Sequence, residues 1–180
     1  MKLIDTIEIK NFKSIRHQKI EGCKRINVFI GYPNVGKSNI LEALSLLSYA
    51  KRGDVIPLKY FCRFKELIDL FSDGEKQKDA EIFTKEYVAA LRYVDKNVLE
   101  FGIVFRENYV EKFNESTAQV LRFIQFNKDG SIANSNVKEY KEKTIVKKYQ
   151  FSTEGGHSYI SANPTVLSYP FGSNLAEFVR

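Results

Sequence analysis

The sequence predicts an α/β fold, and three observations support this. A short apolar run, Arg25 to Ile30, suits a buried strand. A loop bounded by glycines follows it and leads into the clearest helix of the chain, from Gly36 to about Lys51. Beyond Lys59 the pattern is first helical and then, from Glu86 to Phe126, changes to several short strands, which is typical of an antiparallel β-rich region. We therefore expect a mixed sheet around the Gly36 helix, joined to an antiparallel β-rich subdomain.

Two short strands are predicted before the glycine-rich loop. Leu3 to Ile9 reads as a strand, Asn11-Phe12-Lys13-Ser14 breaks it, and Gln18 to Ile20 is expected to pair back. The helix that begins at Gly36 is expected to be largely buried, because apolar residues cover more than half of its circumference. Gly53 follows its basic last turn and provides a stop signal.

The remaining sequence is predicted to be helical first and β-rich afterwards. Phe61 to Phe71 is expected to form a helix. The best strand is Val98 to Arg106, in which large apolar residues alternate on one face. Further strands are predicted at Asn108–Phe113, Val120–Phe126 and Thr144–Phe151, with a turn at Asp129-Gly130 and a last helix from about Leu175. That helix stops at Arg180 in mid-pattern, which favours an N-terminal part of a longer protein.

Length and composition are those of an ordinary globular protein. The chain has 180 residues, of which 43% are hydrophobic and 28% charged. These values exclude collagen-like and disordered chains and supply enough apolar surface for a core. The formal net charge of +6 permits contact with nucleic acid. It does not by itself indicate such contact, because the positive charges are spread along the chain.

The sequence gives no indication of membrane insertion or secretion. Apolar stretches are too short to span a bilayer, and Asp5 comes too early for a signal peptide. Cys23 and Cys62 lie far apart, and with only His17 and His157 beside them neither a disulfide framework nor a zinc site is expected. We expect a reduced, cytoplasmic protein that makes no membrane contact.

One motif carries chemistry. Residues Gly31 to Ser38, GYPNVGKS, fit the pattern GxxxxGK[ST] at every position. Its glycines let backbone N–H groups converge on a phosphate chain, and the following helix adds its own N-terminal N–H groups. Lys37 would place a charge at the β- and γ-phosphates, and the Ser38 hydroxyl would ligate Mg²⁺. The sequence thus predicts a site for nucleotide phosphates.

The other residues of the loop are expected to contribute through the backbone. Gly31 and Gly36 are needed for the loop conformation. Asn34, Val35 and Asn39 are expected to offer backbone N–H groups to the phosphates, while their side chains do little.

The loop alone leaves two nucleotide classes open. The run Pro33 to Ser38 resembles the P-loop of translational and ribosome-assembly GTPases. Such a GTPase needs an NKxD motif to read guanine, and Asn127-Lys128-Asp129 places its Asp one residue early. It also needs a DxxG motif, whose glycine is missing from Asp69-Leu70-Phe71-Ser72. A GTPase is therefore kept as the alternative.

Sequences on both sides of the loop resemble a different class. The opening, Ile9 to Ile15 (IKNFKSI), and the helix start, Lys37 to Leu44 (KSNILEAL), are similar to ABC-type ATPase heads of the RecF/SMC class. More narrowly, they resemble the AAA-type ATP-binding proteins grouped with RecF and the OLD family. Tyr169 to Leu175 is similar to a segment of that family. The stretch from Lys59 to Asn163 shares only its β-rich character.

The resemblance implies the N-terminal half of a bipartite ATPase. Residues 1–58 would be the P-loop core and residues 59–180 a helical and then β-rich subdomain that stops before the Walker B strand. The cofactors would be ATP and Mg²⁺, and the missing C-terminal half would supply Walker B and the signature motif. The full-length protein would dimerise and act on DNA in repair, chromosome maintenance or defence.

No catalytic residue of that family can be placed in these 180 residues, because no Walker B or signature motif is present. Hydrolysis needs a positioned water and full charge neutralisation, so we expect the fragment to bind nucleotide weakly and hydrolyse it negligibly. A non-hydrolysing nucleotide-sensing module is a second alternative. Lys13 takes the place of a basic residue that lies near the nucleotide in this family, whereas Glu42 is expected to be structural.

Overall fold

The computed structural model describes residues 4–24, 26–33, 35–50, 56–109 and 120–137. Within these ranges the chain forms one α-helix and seven strands. Their bounds are β1 (Ile7–Phe12), β2 (Ile15–Ile20), α1 (Lys37–Leu46), β3 (Ala80–Phe83), β4 (Tyr87–Tyr93), β5 (Val98–Phe105), β6 (Val120–Asn127) and β7 (Ile132–Val137). The predicted strand at 144–151 and the predicted helix from 175 lie outside the described residues, as does most of the predicted strand at 108–113.

The seven strands form one antiparallel sheet in the order β2-β1-β3-β4-β5-β6-β7. β1 pairs with β2 on one side and with β3 on the other, although α1 separates β1 from β3 in the sequence. Strands from both sides of residue 58 therefore share one sheet. The division into regions 1–58 and 59–180 stays a prediction.

The predicted N-terminal hairpin and the predicted β5–β6 pair are confirmed. Leu99 of β5 lies opposite Phe126 of β6, and both are fully buried. The other face of β5 is covered as well, because Val104 belongs to a second apolar cluster with Phe83 and Val88. The predicted turn at Asp129-Gly130 joins β6 to β7.

The predicted strand from Arg25 to Ile30 is wrong for the described residues of that run. Residues 26–30 form no strand, and the side chains of Ile26, Val28 and Ile30 are 83%, 73% and 90% exposed. A strand needs neighbours that pair its backbone groups and cover its side chains. No described strand pairs with this run. The described sheet is antiparallel, so the mixed sheet of the predicted α/β fold is not confirmed.

The predicted helix from Phe61 to Phe71 is also wrong. The segment contains a 3₁₀ turn at Leu67–Leu70, and a second one, Leu58–Tyr60, precedes it. The Asp69 carboxylate accepts hydrogen bonds from the backbone N–H groups of residues 65 and 66, which starts the later turn locally. Phe71 then turns extended and forms a bridge with Phe12 of β1. The apolar spacing reflects burial under the sheet rather than a continuous helix.

The predicted Gly36 helix is confirmed, with a shorter α-helical part. α1 ends at Leu46 and a 3₁₀ turn continues to residue 50. Ala43 and Leu46 are fully buried, whereas Leu41 is 54% exposed, so the helix buries one face and the expectation of a largely buried helix is wrong. The Tyr49 ring packs at the end of this helix against Phe101 and Phe126, at centroid distances of 5.3 and 5.6 Å. No described helix has the length and apolar character that a bilayer crossing requires.

Candidate nucleotide-phosphate site

The GYPNVGKS motif forms the turn that leads into α1. Gly36 stands at the N-cap position with φ 90° and ψ 2°, in the left-handed region that favours glycine. A Cβ atom at Gly31 would come within 3.3 Å of the Val35 side chain, so the loop closes tightly at its first glycine. The conformational need for glycine is thus visible at Gly36, whereas Gly31 does not have a positive φ and its role in the loop conformation stays a prediction. Asn34 lies outside the described residues.

The N-terminus of α1 is open to an anion. Within the part of the chain that the structure describes, no side chain caps it, and its first turn contains no acidic residue. The backbone N–H groups of Asn39 and Ile40 both donate to the Gly36 carbonyl. A helix N-terminus carries a positive partial charge, and here no carboxylate in the first turn opposes it.

The Lys37 side chain lies against the loop. Its ammonium donates to the carbonyls of Gly31 at 2.7 Å and Tyr32 at 2.5 Å. A phosphate oxygen would be a stronger acceptor than either carbonyl, because both partners would then be charged. With the exposed Ser38 hydroxyl next in sequence, these residues fit a nucleotide phosphate with a bound Mg²⁺.

The turn between β1 and β2 lies beside this loop. The Asn39 side-chain amide donates to Ser14 Oγ at 2.7 Å. A Cβ atom at Gly36 would lie 3.1 Å from the same oxygen. The structure therefore brings Ser14, Gly36 and Asn39 together at the start of α1.

Lys13, Glu42 and Arg63 form a cluster of charged residues that ties the β1–β2 turn to α1. The Lys13 ammonium donates to Glu42 Oε2 at 2.6 Å and to the Arg63 carbonyl at 2.7 Å. Arg63 Nε donates to Glu42 Oε1 at 2.7 Å. Burial by itself would raise the pKa of Glu42, yet the hydrogen bonds from Lys13 and Arg63 outweigh it and hold that pKa below its usual value. Glu42 is thus an ionised counter-ion.

Asn11, at the start of the same turn, holds a neighbouring loop. Its side-chain amide donates to the carbonyls of Glu75 at 2.9 Å and Lys78 at 2.8 Å, and its Oδ1 accepts from the Ser72 N–H at 3.1 Å. These three hydrogen bonds fasten residues 72–78 to the end of β1.

Sequence reasoning gave little weight to Ser14 and missed Arg63 and the role of Asn11. The available signal was a run of polar residues in a tight turn between apolar strands, which favours side-chain hydrogen bonds. The sequence did not show the partners, because they lie 25 to 67 positions away. His17, an exposed residue of β2, pairs with Glu8 of β1 and does not join the site. His157 lies outside the described residues.

A glycine-rich loop with an inward lysine, at the head of a helix, defines the phosphate-binding arrangement of P-loop proteins. Comparison with known proteins gives the family. The chain matches the AAA ATPase domain over residues 1–164, and it belongs to that family. The predicted resemblance to the N-terminal half of RecF/SMC-like ATPases is confirmed.

Several curated proteins are similar to this chain. The DNA replication and repair protein RecF of a Thermoanaerobacter species is 32% identical over 117 residues, which cover 63% of this chain and 28% of RecF. An uncharacterized protein of Methanocaldococcus jannaschii is 36% identical over 89 residues, 44% of this chain and 41% of that protein. An ATP/GTP phosphatase of Helicobacter pylori is 47% identical over 45 residues, 25% and 12% of the two chains. The chain spans less than half the length of each of these relatives.

Proposed function

We propose that this chain is the ATP- and Mg²⁺-binding part of a RecF/SMC-like ATPase that works as an ATP-driven conformational switch. The observation that supports it best is the contact of the Lys37 ammonium with the carbonyls of Gly31 and Tyr32, in the loop that precedes α1. That contact places a full positive charge at the uncapped helix N-terminus. Membership of the AAA ATPase domain family favours ATP as the nucleotide.

The proposal gives each residue of the loop a role. Lys37 binds the β- and γ-phosphates, and Ser38 supplies a hydroxyl ligand to Mg²⁺, which bridges those phosphates when bound. Lys13 is placed near the nucleotide only by the family resemblance; in the structure its ammonium is paired with the Glu42 carboxylate, and its side chain is 14% exposed. Backbone N–H groups of Gly31, Asn34, Val35 and Gly36 complete the phosphate site. The Asn39 N–H donates to the Gly36 carbonyl at 2.9 Å, so it would have to share its hydrogen between that carbonyl and a phosphate oxygen.

The decisive experiment is calorimetric titration of the chain with ATP and with GTP in the presence of Mg²⁺. We expect ATP to bind more tightly, and Lys37→Ala to abolish the binding. Lys96→Ala, which removes an exposed lysine in the turn between β4 and β5, is the matched control and should bind as the wild type does. Preference for GTP would overturn the choice of ATP. Absence of binding both here and in the longer protein would overturn the site.

We propose further that the 180-residue chain binds ATP without turning it over. Its sequence offers a phosphate loop but no group in a Walker B context to position the attacking water. Steady-state phosphate release should therefore stay at the level of the Lys37→Ala variant. Turnover that this variant abolishes would contradict the proposal.

The role in DNA metabolism is proposed from the relatives that carry the name RecF. We propose that the full-length protein dimerises on ATP in the cytoplasm and binds DNA in that state. Fluorescence anisotropy of a labelled duplex, measured on the full-length protein with and without ATP, tests this. Binding that is the same in both conditions, or none in either, would contradict the switch.

A further inference from the structure

Two neighbouring residues of the β1–β2 turn contact one face of α1. Lys13 reaches Glu42 and Ser14 reaches Asn39. Asn39 and Glu42 are three positions apart, so their side chains lie on the same side of the helix. The turn is also bound to the 3₁₀ turn at Leu67–Leu70, because the Lys13 N–H donates to the Leu70 carbonyl at 3.1 Å. The start of α1 is therefore tied to the β1–β2 turn, and that turn is itself held by the Leu70 carbonyl.

Ser14 meets the phosphate-binding loop at its second glycine. Its hydroxyl oxygen lies 3.1 Å from the point that a Cβ atom of Gly36 would occupy. Gly36 offers no side chain with which to cap α1, and no side chain of the described residues forms a cap hydrogen bond there. The hydroxyl instead stands beside the Gly36 backbone and accepts the hydrogen bond from Asn39, in the first turn of α1.

We infer that Ser14 is a positioning residue of the phosphate-binding loop: its hydroxyl, held by Asn39, fixes the Gly36 backbone and the first turn of α1. The inference rests on the proposed function, since it concerns the same phosphate site. Backbone N–H groups bind an anion best when they are already oriented, because ordering them on binding reduces affinity. Ser14 supplies that order from the hairpin, and the sequence motif of the loop does not include it.

The test is ATP affinity, measured by calorimetry well below the melting temperature. Ser14→Ala and Asn39→Ala should each weaken ATP binding about fivefold, which is the effect of one hydrogen bond. The double variant should lose about the same fivefold, because both changes remove one interaction. Ser14→Thr keeps the hydroxyl and should bind within about twofold of wild type. Ser135→Ala, an exposed serine in β7 at the opposite edge of the sheet, is the control.

Amide hydrogen exchange of the ATP-free chain provides a second readout. Ser14→Ala should speed exchange at residues 36–40 and leave the amides of β5 and β6 unchanged. ATP affinity and exchange rates equal to those of wild type would overturn the inference, and so would a lower melting temperature with unchanged ATP affinity. If neither the wild-type chain nor the longer protein binds ATP, the proposed function fails on its own account, and exchange alone decides the role of Ser14.

Discussion

The Lys13 ammonium lies 2.6 Å from Glu42 Oε2, which joins the N-terminal hairpin to the helix behind the phosphate-binding loop. Arg63 approaches the other oxygen of the same carboxylate at 2.7 Å. The side chains of Glu42 and Lys13 are only 6% and 14% exposed, whereas that of Arg63 is 75% exposed. A buried carboxylate with two cations contributes stability only while it is ionised, and this has measurable consequences.

Glu42→Gln should make the protein less sensitive to acid. Because the pKa of Glu42 is lower in the folded chain than in the unfolded one, its ionisation stabilises the fold above the unfolded pKa of about 4.3. That contribution is lost as the pH falls through the lower, folded pKa. The difference in free energy of unfolding between wild type and Glu42→Gln should therefore shrink from pH 7 towards pH 3, as measured by urea denaturation.

The control for this pH series is Glu21→Gln, which removes a carboxylate from an exposed pair with Lys19. Its stability difference from wild type should change less over the same range. A constant difference between wild type and Glu42→Gln at all pH values would contradict the assignment of Glu42 as a buried counter-ion.

Lys13→Met should destabilise the chain more than Arg63→Met. Methionine keeps most of the apolar stem but removes the charge. Loss of the Lys13 ammonium removes the closer donor to a buried carboxylate oxygen, which keeps only the longer hydrogen bond from the Arg63 N–H at 3.3 Å, and should cost about 2–3 kcal/mol in free energy of unfolding. Arg63 is mostly exposed, so its replacement should cost less than about 1 kcal/mol. Thermal and urea melts of both variants give the comparison, and equal losses would contradict the difference in burial.

Asn11→Ala should loosen the loop at residues 72–78. The substitution removes three hydrogen bonds to that loop. It also places alanine at φ 50°, a conformation that asparagine tolerates better. We expect a loss of about 2–3 kcal/mol and faster amide exchange across residues 72–78. Asn134→Ala on the exposed part of β7 is the control, and an Asn11→Ala variant as stable as this control would refute the role.

Gly130→Ala should be more harmful than Gly22→Ala. Both glycines have positive φ, 79° and 68°, so the backbone penalty of about 1 kcal/mol is shared. A Cβ atom at Gly130 would lie 2.8 Å from the Phe64 ring, whereas a Cβ at Gly22 meets nothing within 4 Å. The clash should add about 1–2 kcal/mol. Equal melting temperatures for the two variants would show that the ring moves aside freely.

Local patterns predicted much of the fold. The alternation of Val98 to Arg106 predicted β5, and the glycine and apolar spacing after Lys37 predicted α1. Phe61 to Phe71 misled, because its apolar spacing is helical whereas its backbone follows 3₁₀ turns and a bridge to Phe12. The strand predicted for Arg25 to Ile30 is wrong because apolar composition indicates a tendency towards burial but does not show which neighbouring strands would cover the run.

The sequence by itself determined the glycine-rich loop that is proposed to bind phosphate. Its glycines, its lysine and the helix after it are consecutive, so their chemistry follows from local order. Only the tertiary structure decided that Ser14 stands beside Gly36 and that Glu42 holds both Lys13 and Arg63. These contacts join residues far apart in the chain, and they exist because β1 pairs with β2 and β3 and so carries the turn to the side of α1. Side-chain partners set by sheet pairing cannot be deduced from residue spacing.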